Sequence, residues 1–463
     1  MFRVFPNKAS SAAVLEAMLD GILGFVAVMA AAITLQLLPG NWLASLMDIH
    51  VLGAALVFAI VMALFQSFIG IYRHRLNLFP LAIRLGTVLF VAGYGTYLLL
   101  KELRLHPHPG PLVWMAIIYF LAGVVVIRVG ATAIRSVLGV RRVLIVGAGD
   151  DAQSVFNTLR TDARHMREVV GFFPTESDAS TTVDGAPLFD RSRRLEDLVS
   201  AYGVDEIVVA VREQRGGVMP MEQLVTCRTR GTKILDLAAF FERSHAEVPV
   251  DSLKASWLVY GDGFVQGPAR RIAKRAFDIL ASSALLVITA PLMLLAAIAV
   301  KLDSRGPVLY RQERVGLGGR SFHCVKFRSM CTTAESDGVA RWATKNDSRV
   351  TRVGAFMRKM RIDELPQLIT VLKGEMSIVG PRPERPEFVA QLREEIPFYD
   401  LRHGVKPGVT GWAQVRYTYS ASVEDARKKH QFDLYYLKNN SIWLDLQILI
   451  ETVTVVLFRE GAH

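Results

Sequence analysis

Four long apolar runs in the first third of the chain restrict its fold more than any other feature. They cover residues 21–38, 51–72, 85–100 and 111–127, and a helix needs about 20 consecutive apolar residues to cross a bilayer. The alternative for the first run is a cleaved signal peptide, but three further runs follow it and no small-residue cleavage site comes after it. The runs therefore predict an integral membrane bundle of four helices over residues 1–137.

Lysine and arginine flank these runs unevenly. Arg3 and Lys8 precede the first run and three arginines lie between the second and third, whereas the connection at residues 39–50 contains neither residue type. Basic residues are retained on the cytoplasmic side of a membrane. We therefore expect a multi-pass protein with both ends of the four-helix region in the cytoplasm, so that the chain after Arg128 begins there.

The middle of the chain alternates between strand-like and helix-like segments. The stretch RRVLIVGAGDDAQSVFNTLR at residues 141–160 combines a buried strand, a glycine turn and the start of a helix, and strand-like runs follow at residues 169–173, 205–211 and 232–237. Such alternation is typical of a parallel α/β sheet. It predicts a cytoplasmic Rossmann-like α/β module over residues 138–262.

The glycine turn of this module allows two interpretations. Gly147, Gly149 and Ala152 have the G-x-G-x-x-A spacing in which amides at a helix N-terminus receive a phosphate. No acidic residue closes the second strand, which runs into Phe173 and Pro174, so the usual ribose ligand of a dinucleotide site is missing. The pattern favours a module kept for packing, oligomerisation or regulation over a dehydrogenase site.

A fifth apolar stretch, at residues 279–300, carries Pro291 in its middle and basic residues on both flanks. Proline removes a helix hydrogen bond and bends the axis, and positive charge at both ends favours two cytoplasmic ends. The pattern predicts a re-entrant membrane helix at residues 276–300 that enters one leaflet and returns. The alternative is an ordinary fifth span, which would place the rest of the chain outside the cell.

The last third of the chain is rich in lysine and arginine, and the whole chain has a formal charge of +11. A basic face on anionic lipid or on nucleic acid would account for these cations. The membrane segments and the lack of a recognition-helix pattern disfavour nucleic acid as a partner. Three scattered cysteines also exclude a disulfide-rich framework.

Among these cations stands the acidic pair Asp363 and Glu364. The common explanation for an isolated acidic pair is the N-terminus of a helix. Beside several cations, however, a carboxylate is expected to have a depressed pKa and to stay ionised. It can then attack phosphorus, hold a divalent metal, or do both in turn, which makes phosphate chemistry the better explanation.

Ordered motifs in the last third resemble those of a known family. They are RQERVG, KFRSM, DELPQL, GEMSIVGPRPE and KPGVTGWAQV. In this order and approximate spacing they resemble the bacterial sugar transferases, which are monotopic polyprenyl-phosphate phosphoglycosyl transferases. The resemblance implies a C-terminal α/β catalytic domain over residues 270–463. The long exopolysaccharide-initiating form is the nearest match, and MFRVF, DEIVVAV, FFER and SWLVYGDGF are similar to its exosortase-associated, PEP-CTERM-type members.

The resemblance also implies a reaction. Asp363 would attack the β-phosphate of a UDP-sugar and release UMP, giving a covalent aspartyl phosphosugar, and would lie beside a Mg²⁺ ion. Glu364 would activate undecaprenyl phosphate, which then takes the sugar 1-phosphate as the first membrane step of exopolysaccharide assembly. The enzyme would lie in the bacterial inner membrane with its catalytic domain in the cytoplasm. Its substrate-binding residues would be Lys326, Arg328, Arg358, Pro381 and Arg382.

The same resemblance implies how the re-entrant helix is held. Lys274 and Arg275 would contact lipid headgroups, and Pro291 would break the helix. Many relatives have serine before this proline, whereas this chain has Ala290 there and Thr289 one position earlier.

Two competing hypotheses assign the protein a function different from sugar-phosphate transfer. A membrane-tethered nucleotide-sugar oxidoreductase would use the glycine turn, and a non-catalytic scaffold would recruit a polymerase. Only the transferase hypothesis predicts UMP release that Asp363→Asn abolishes.

Two more expectations concern association and the last apolar stretch. A homodimer through the middle module is a reasonable assembly. Residues 441–458 form an amphipathic stretch that either lies flat in the membrane interface or packs as a core helix.

Overall fold

A computed structural model describes most of the chain and divides it into two compact units, Met1–Ser244 and His245–His463. The first unit contains long apolar helices and a parallel sheet, and the second contains the motif-rich last third. The described residues are 8–35, 49–68, 78–104, 109–137, 140–161, 167–178, 183–211, 219–250, 253, 263–264, 266–332, 334, 347–417 and 422–458.

Four long helices, α1 to α4, lie at the positions of the four predicted spans. They are Lys8–Thr34, Ile49–Phe68, Leu78–Glu102 and Pro109–Val137. The predicted span ends at residues 38 and 72 lie outside the described residues, as do MFRVF and most of SWLVYGDGF.

Among these helices the described residues differ in how well they match a membrane span. Pro109–Ile127 has the length and apolarity of one, whereas Met18–Thr34 and Ile49–Ala63 are apolar but shorter. The helical region with apolar segments is therefore confirmed, and the number of spans stays a prediction.

Helices α1 and α2 pack through small residues. Ala27, Ala31 and Ala54 are buried, and a Cβ added at Gly24 would lie 3.2 Å from the Cα of Ala59. Small residues allow the close approach of helix backbones that is typical of membrane bundles.

A parallel sheet of four strands follows in the first unit, in the order β2-β1-β3-β4. The strands β1 to β4 are Arg141–Val146, Arg167–Phe173, Glu206–Val209 and Lys233–Asp236, and the helices α5 to α8 are Asp150–Thr161, Leu195–Tyr202, Met221–Thr229 and Leu237–Ser244. Buried apolar clusters cover both faces of the sheet, as a parallel sheet requires. The predicted alternation of strands and helices is confirmed.

Gly147 occupies a position in the turn after β1 that excludes a side chain. Its φ is +119°, and an added Cβ would lie 2.7 Å from the carbonyl oxygen of Ala210. Its amide donates to the carbonyl of Phe173 at 2.8 Å. Packing between neighbouring strand ends is therefore enough to require glycine here.

The helix that follows this turn begins with negative charge. Asp150 and Asp151 form its first turn, and Asp178 Oδ1 would lie 3.8 Å from a Cβ on Gly149. A phosphate at a helix N-terminus is stabilised by positive partial charge, which these carboxylates oppose. The geometry favours the packing interpretation of the glycine turn over a dinucleotide site.

The second unit begins earlier than the sequence predicts. Val248 is buried in its main core, and the Val248 amide donates to the Gln431 carbonyl at 3.0 Å. Trp412 Nε1 donates to the Ala246 carbonyl at 2.8 Å. These residues pack with the last third of the chain, whereas the sequence places the boundary at residue 262.

The first long element of the second unit is α9, Pro268–Asp303, with 36 residues. It is longer than the predicted helix at residues 276–300 and has the length and apolarity of a membrane span. Its two ends pack against the unit, whereas its middle is exposed: Val287 is 76% exposed and Ile288 is 73% exposed. A core helix of a soluble domain would bury such residues.

The remaining elements fold around two apolar clusters, a main core and a smaller one beside α9 that holds α10. Strands β5 and β6 form an antiparallel hairpin, and β7 and β8 form a short parallel pair. The strands β5 to β8 are Leu309–Val315, Ser321–Phe327, Ser377–Val379 and Gly408–Thr410, and the helices α10 to α15 are Arg352–Lys359, Gln367–Lys373, Pro386–Glu395, Trp412–Arg416, Val423–Asn439 and Ile442–Phe458.

Helix α15 settles the position of part of the last apolar stretch. Leu444 and Ile448 lie in the main core, and Asp445 and Glu451 are buried beside them. Over these residues α15 is a core helix, which is one of the two interpretations drawn from the sequence.

Candidate active site

The acidic pair lies on a tight turn between α10 and α11. Ile362–Glu364 form one turn of 3₁₀-helix after Arg361, whose φ is +56°, and Pro366 is the N-cap residue directly before α11. Proline suits a helix start because its fixed φ is helical and its missing N–H is not needed there. The turn directs both carboxylates inward, so that Asp363 is 7% exposed and Glu364 is 6% exposed.

Three cations surround Glu364. Its Oε1 accepts hydrogen bonds from Lys326 at 2.9 Å and from Arg382 at 2.8 Å, and its Oε2 lies 3.7 Å from Arg361. Burial by itself would raise the pKa of Glu364, but the charges of these three cations together hold that pKa well below its usual range. The pairing with Glu364 also raises the pKa of Arg382. Glu364 is therefore ionised, and both of its carboxylate oxygens face cations.

Asp363 differs from its neighbour. Its Oδ1 is buried and has no hydrogen-bond partner among the described residues. Burial, and then the charge of Glu364, raise the pKa of Asp363 against the opposite effect of nearby cations. The predicted depression of the pKa therefore holds for Glu364 and is wrong for Asp363. An unpartnered oxygen with raised basicity suits a nucleophile.

Asp363 opens onto a cavity of about 570 Å³. Two acidic side chains, Asp363 and Glu384, line it within the described part of the chain. The basic side chains that line it are Arg314, Lys326, Arg328, Arg349, Arg358, Arg361, Arg382, Arg385 and Lys429. Such an excess of positive charge suits a ligand with several phosphate oxygens.

The predicted substrate-binding residues differ in how many of their polar atoms are already bonded within the protein. Lys326 and Arg382 are held by Glu364. Arg358 donates from Nε to Ser329 Oγ at 3.1 Å, which leaves the rest of its guanidinium for the cavity. Pro381 does not line the cavity, and its carbonyl accepts the Gly408 amide at 2.9 Å.

Arg328 lines the cavity and also bonds the C-terminal end of α9. Its guanidinium donates to the carbonyl of Arg305 at 2.5 Å and to that of Ser304 at 2.8 Å. Cations near a helix C-terminus satisfy carbonyls that lack an intrahelical partner. A Cβ on Gly306 would lie 2.0 Å from this guanidinium. These bonds close the end of α9, and the role of Arg328 in substrate binding stays a prediction.

The two basic residues near the other end of α9 are turned into the protein. Lys274 Nζ lies 2.7 Å from Asp445 and 3.3 Å from Asp278. Arg275 donates at 2.6 Å to each of two carbonyls at the C-terminal end of α11. A buried carboxylate and an open helix end are strong partners for a cation. The contacts of Lys274 and Arg275 with lipid headgroups stay a prediction.

Pro291 does not end α9. The helix continues through it to Asp303, and the Thr289 hydroxyl donates to the Leu285 carbonyl at 2.7 Å. Hydroxyl bonds of this kind often bend a helix without interrupting it. The predicted helix break is therefore corrected to an internal proline within one helix.

No group of three or more His, Cys, Asp or Glu side chains placed to hold a metal ion occurs within the described ranges. Mg²⁺ needs no such group, because it is usually bound by one or two carboxylates together with substrate phosphates. The unpartnered Oδ1 of Asp363 fits a site of that kind.

Comparison with known proteins agrees with this geometry. Residues 269–459 match the family described as bacterial sugar transferase. A UDP-glucose:undecaprenyl-phosphate glucose-1-phosphate transferase of Xanthomonas campestris pv. campestris is 34% identical over 370 residues, which make up 76% of this chain and 75% of that protein. The chain belongs to the bacterial sugar transferase family.

Two further relatives of this sugar transferase match over a smaller share of their length. A UDP-N-acetylgalactosamine-undecaprenyl-phosphate N-acetylgalactosaminephosphotransferase of Aeromonas hydrophila is 44% identical over 52% of this chain and 56% of that protein. An undecaprenyl-phosphate glucose phosphotransferase of Komagataeibacter xylinus is 36% identical over 70% of this chain and 60% of that protein. The chain thus spans less than two thirds of these two relatives.

A second family, described as a CoA-binding domain, matches residues 111–216. The match covers α4 and the first three strands of the parallel sheet. It includes the glycine turn and the nearby carboxylates of Asp150, Asp151 and Asp178.

Sequence reasoning missed residues that hold this sugar transferase site in place. Arg402 lies 2.8 Å from Asp433 in the interior and donates to the backbone carbonyl of Arg382 at 2.9 Å. Arg402 precedes the KPGVTGWAQV motif by only a few residues, so its position gave a weak signal. Lys429 and Asp433 lie on α14, outside every quoted motif.

Proposed function

We propose that this sugar transferase moves a sugar 1-phosphate from a UDP-sugar to undecaprenyl phosphate and releases UMP. One observation carries the proposal: Asp363 has a buried, unpartnered Oδ1 beside a cation-bound Glu364, at a cavity lined by nine basic side chains. The names of two relatives specify a UDP-glucose and a UDP-N-acetylgalactosamine donor. The proposal concerns the UDP-sugar class that both donors share.

In the first step, the carboxylate of Asp363 attacks the β-phosphorus of the UDP-sugar. A bond forms between the carboxylate oxygen and phosphorus, the bond from phosphorus to the bridging oxygen breaks, and UMP leaves with that electron pair. The cations of the cavity neutralise the charge that moves to the leaving phosphate. The result is a phosphosugar bound covalently to Asp363, formed without a proton transfer.

In the second step, an oxygen of undecaprenyl phosphate attacks the same phosphorus and Asp363 leaves as a carboxylate. A phosphate monoester has a second pKa of about 6, so the acceptor is largely ionised at neutral pH. Glu364, with its lowered pKa and cationic partners, is a poor proton acceptor. We infer that Glu364 orients Lys326 and Arg382, which revises the activating role that the family resemblance implies.

Mg²⁺ would be held by Asp363 together with the phosphates of the donor. When bound, the ion would neutralise charge on the diphosphate. The residues around Asp363 keep the same roles in positioning the donor and in stabilising the leaving UMP.

The placement of α9 in the membrane is also proposed as re-entrant. A straight helix of 36 residues would be about 54 Å long, whereas the hydrocarbon core is about 30 Å thick. Arg275 near one end and Arg328 at the other both bond within the same unit, which supports a path that enters and leaves on one side. Because UDP-sugars are cytosolic, the catalytic unit would face the cytoplasm at the bacterial inner membrane.

Three further features are proposed on the basis of the sequence. The four helices of the first unit would span the membrane, the reaction would initiate exopolysaccharide assembly, and the parallel sheet module would support a homodimer. Lipids would surround the exposed middle of α9.

The test is a UMP-release assay on purified membranes with undecaprenyl phosphate and a panel of UDP-sugars. We expect UMP release and, in quenched reactions without acceptor, a phosphosugar adduct on Asp363 by mass spectrometry. The matched control is Glu375→Gln, which removes an exposed carboxylate of the same unit. Absence of the adduct would contradict the covalent mechanism. A nicotinamide absorbance change without UMP would instead favour an oxidoreductase, and unchanged polymer output in Asp363→Asn would favour a scaffold.

A further inference from the structure

Lys429, on α14, lines the same cavity as Asp363. Its electrostatic neighbours are Arg382, Glu384, Asp433 and Arg402. Of these neighbours, Arg382 is also bound to Glu364.

The two carboxylates near Lys429 already have arginine partners. Glu384 lies 3.5 Å from Arg314, and Asp433 lies 2.8 Å from Arg402. The structure gives the Lys429 ammonium no hydrogen bond or ion pair within the described residues. The ammonium is therefore left with three donors that point to no protein acceptor in this part of the chain.

The surroundings of Lys429 disfavour its charged form when the cavity holds no anion. Burial, and then the charge of Arg382, lower the pKa of Lys429 to about 8. Arg402 acts in the same direction, whereas Glu384 and Asp433 act against it. A partly buried cation among other cations is stabilised when an anion binds beside it.

We propose that Lys429 binds a phosphate group of a substrate, as a contact separate from the cations that surround the acidic pair. The inference rests on the proposed function, which supplies two phosphate sources: the nucleotide donor and undecaprenyl phosphate. Both present the same oxygen acceptors to an ammonium group.

The first test measures the KM of Lys429→Gln for the UDP-sugar and for undecaprenyl phosphate, with the inhibition constant of UMP. We expect one KM to rise about 10-fold to 100-fold, the range for loss of a hydrogen bond to a charged group, and kcat to change much less. If the KM for the UDP-sugar and the inhibition constant of UMP both rise, the contact is assigned to the nucleotide. A rise in the undecaprenyl phosphate KM alone assigns it to the lipid.

The matched control is Lys428→Gln, which removes one positive charge from the adjacent position. Lys428 does not line the cavity and lies 2.8 Å from Glu247, so its loss should leave both KM values within about 2-fold. Lys429→Arg keeps the charge and should restore most of the affinity.

The second test follows the affinity with pH. Protonated Lys429 binds phosphate, so the affinity of the wild-type protein should fall as pH rises through about 8. Arg382 and Arg402 have raised pKa values and stay charged in this range, and Asp433, whose pKa burial raises to about 6, titrates below it. In Lys429→Arg the fall near pH 8 should disappear.

Unchanged KM values in folded Lys429→Gln, or an identical alkaline profile in Lys429→Arg, would overturn the inference. Melting temperatures of all variants establish that they are folded, and the arginine variant supplies the pH test should the glutamine variant not fold. Failure of the proposed function has a different signature, because wild-type protein would then form no adduct on Asp363.

Discussion

Two turns of this molecule carry short motifs associated with phosphate, and their surroundings differ. The glycine turn of the parallel sheet leads into a helix that begins with Asp150 and Asp151, with Asp178 close by. The acidic turn of the second unit holds Asp363 and Glu364 among lysine and arginine side chains. The comparison shows that residue spacing specifies the backbone of a turn, whereas the charges around it decide whether a phosphate is stabilised there.

The largest expected difference is in catalysis. Asp363→Asn removes the proposed nucleophile and should lower kcat for UMP release by about 10³-fold or more. Asp150→Asn changes the glycine turn in the same chemical way and should leave kcat and KM within about 2-fold. A comparable loss in both variants would contradict the assignment of the chemistry to the acidic turn.

Within the acidic turn, Glu364→Gln should have a smaller effect than Asp363→Asn. It removes the shared anchor of Lys326 and Arg382, and we expect kcat/KM to fall about 10-fold to 100-fold. Activity should fall at acid pH as Asp363 is protonated, at a pKa above the ordinary value of 3.8.

The pH profile of kcat/KM separates the two roles considered for Glu364. If Glu364 orients cations, Glu364→Gln should keep the acid limb but move it to lower pH, because the charge of Glu364 raises the pKa of Asp363. If Glu364 were the proton acceptor, that variant would lose the limb.

The two carboxylates should have opposite effects on stability. The raised pKa of Asp363 means that its ionised form costs stability at neutral pH, a cost that is absent below the unfolded pKa. The lowered pKa of Glu364 means that its ionised form adds stability above the unfolded pKa, which is lost as pH falls through the folded value. Asp363→Asn should therefore raise the melting temperature and Glu364→Gln should lower it, each by about 2–4 °C at pH 7.

Differential scanning fluorimetry over a pH series measures both shifts, with Glu375→Gln as the reference for an exposed carboxylate. The difference in melting temperature between Asp363→Asn and Glu364→Gln should narrow at acid pH. Shifts of the same sign at pH 7 would contradict the different environments of the two carboxylates.

The smallest effect on catalysis is expected at the glycine turn, where only stability should change. A Cβ at Gly147 would lie 2.7 Å from a carbonyl oxygen at a φ of +119°, so Gly147→Ala should destabilise the first unit by about 1–3 kcal/mol. Gly149→Ala, whose nearest neighbour would lie at 3.8 Å, is the control and should change little. A changed KM for the UDP-sugar in folded Gly149→Ala would indicate that a phosphate binds at this turn.

Many elements of the fold could be predicted because their causes are local. Apolar runs marked the four helices of the first unit and α9, and strand-like runs marked the parallel sheet. The motifs placed Asp363, Glu364 and Arg358 close together, since all three lie within a few residues of each other. Lys326 and Arg382 are distant in sequence from Glu364, so spacing does not reveal their contact with it. They were included through the family resemblance.

The partners of the other basic residues could not be predicted, because they come from distant parts of the chain. Arg275 bonds the end of α11 and Arg328 bonds the end of α9, and neither helix end is recognisable as a partner from sequence spacing. Sequence spacing likewise does not indicate that Lys274 lies 2.7 Å from Asp445.

The sequence alone determined that this protein has apolar helices, a parallel sheet module and a cation-rich segment around an acidic pair, since these follow from residue type and spacing. Only the tertiary structure decided that the two neighbouring carboxylates have opposite pKa shifts. Burial and the positions of Lys326 and Arg382, which come from other parts of the chain, contribute to that difference, and both depend on how the chain packs rather than on the order of its residues.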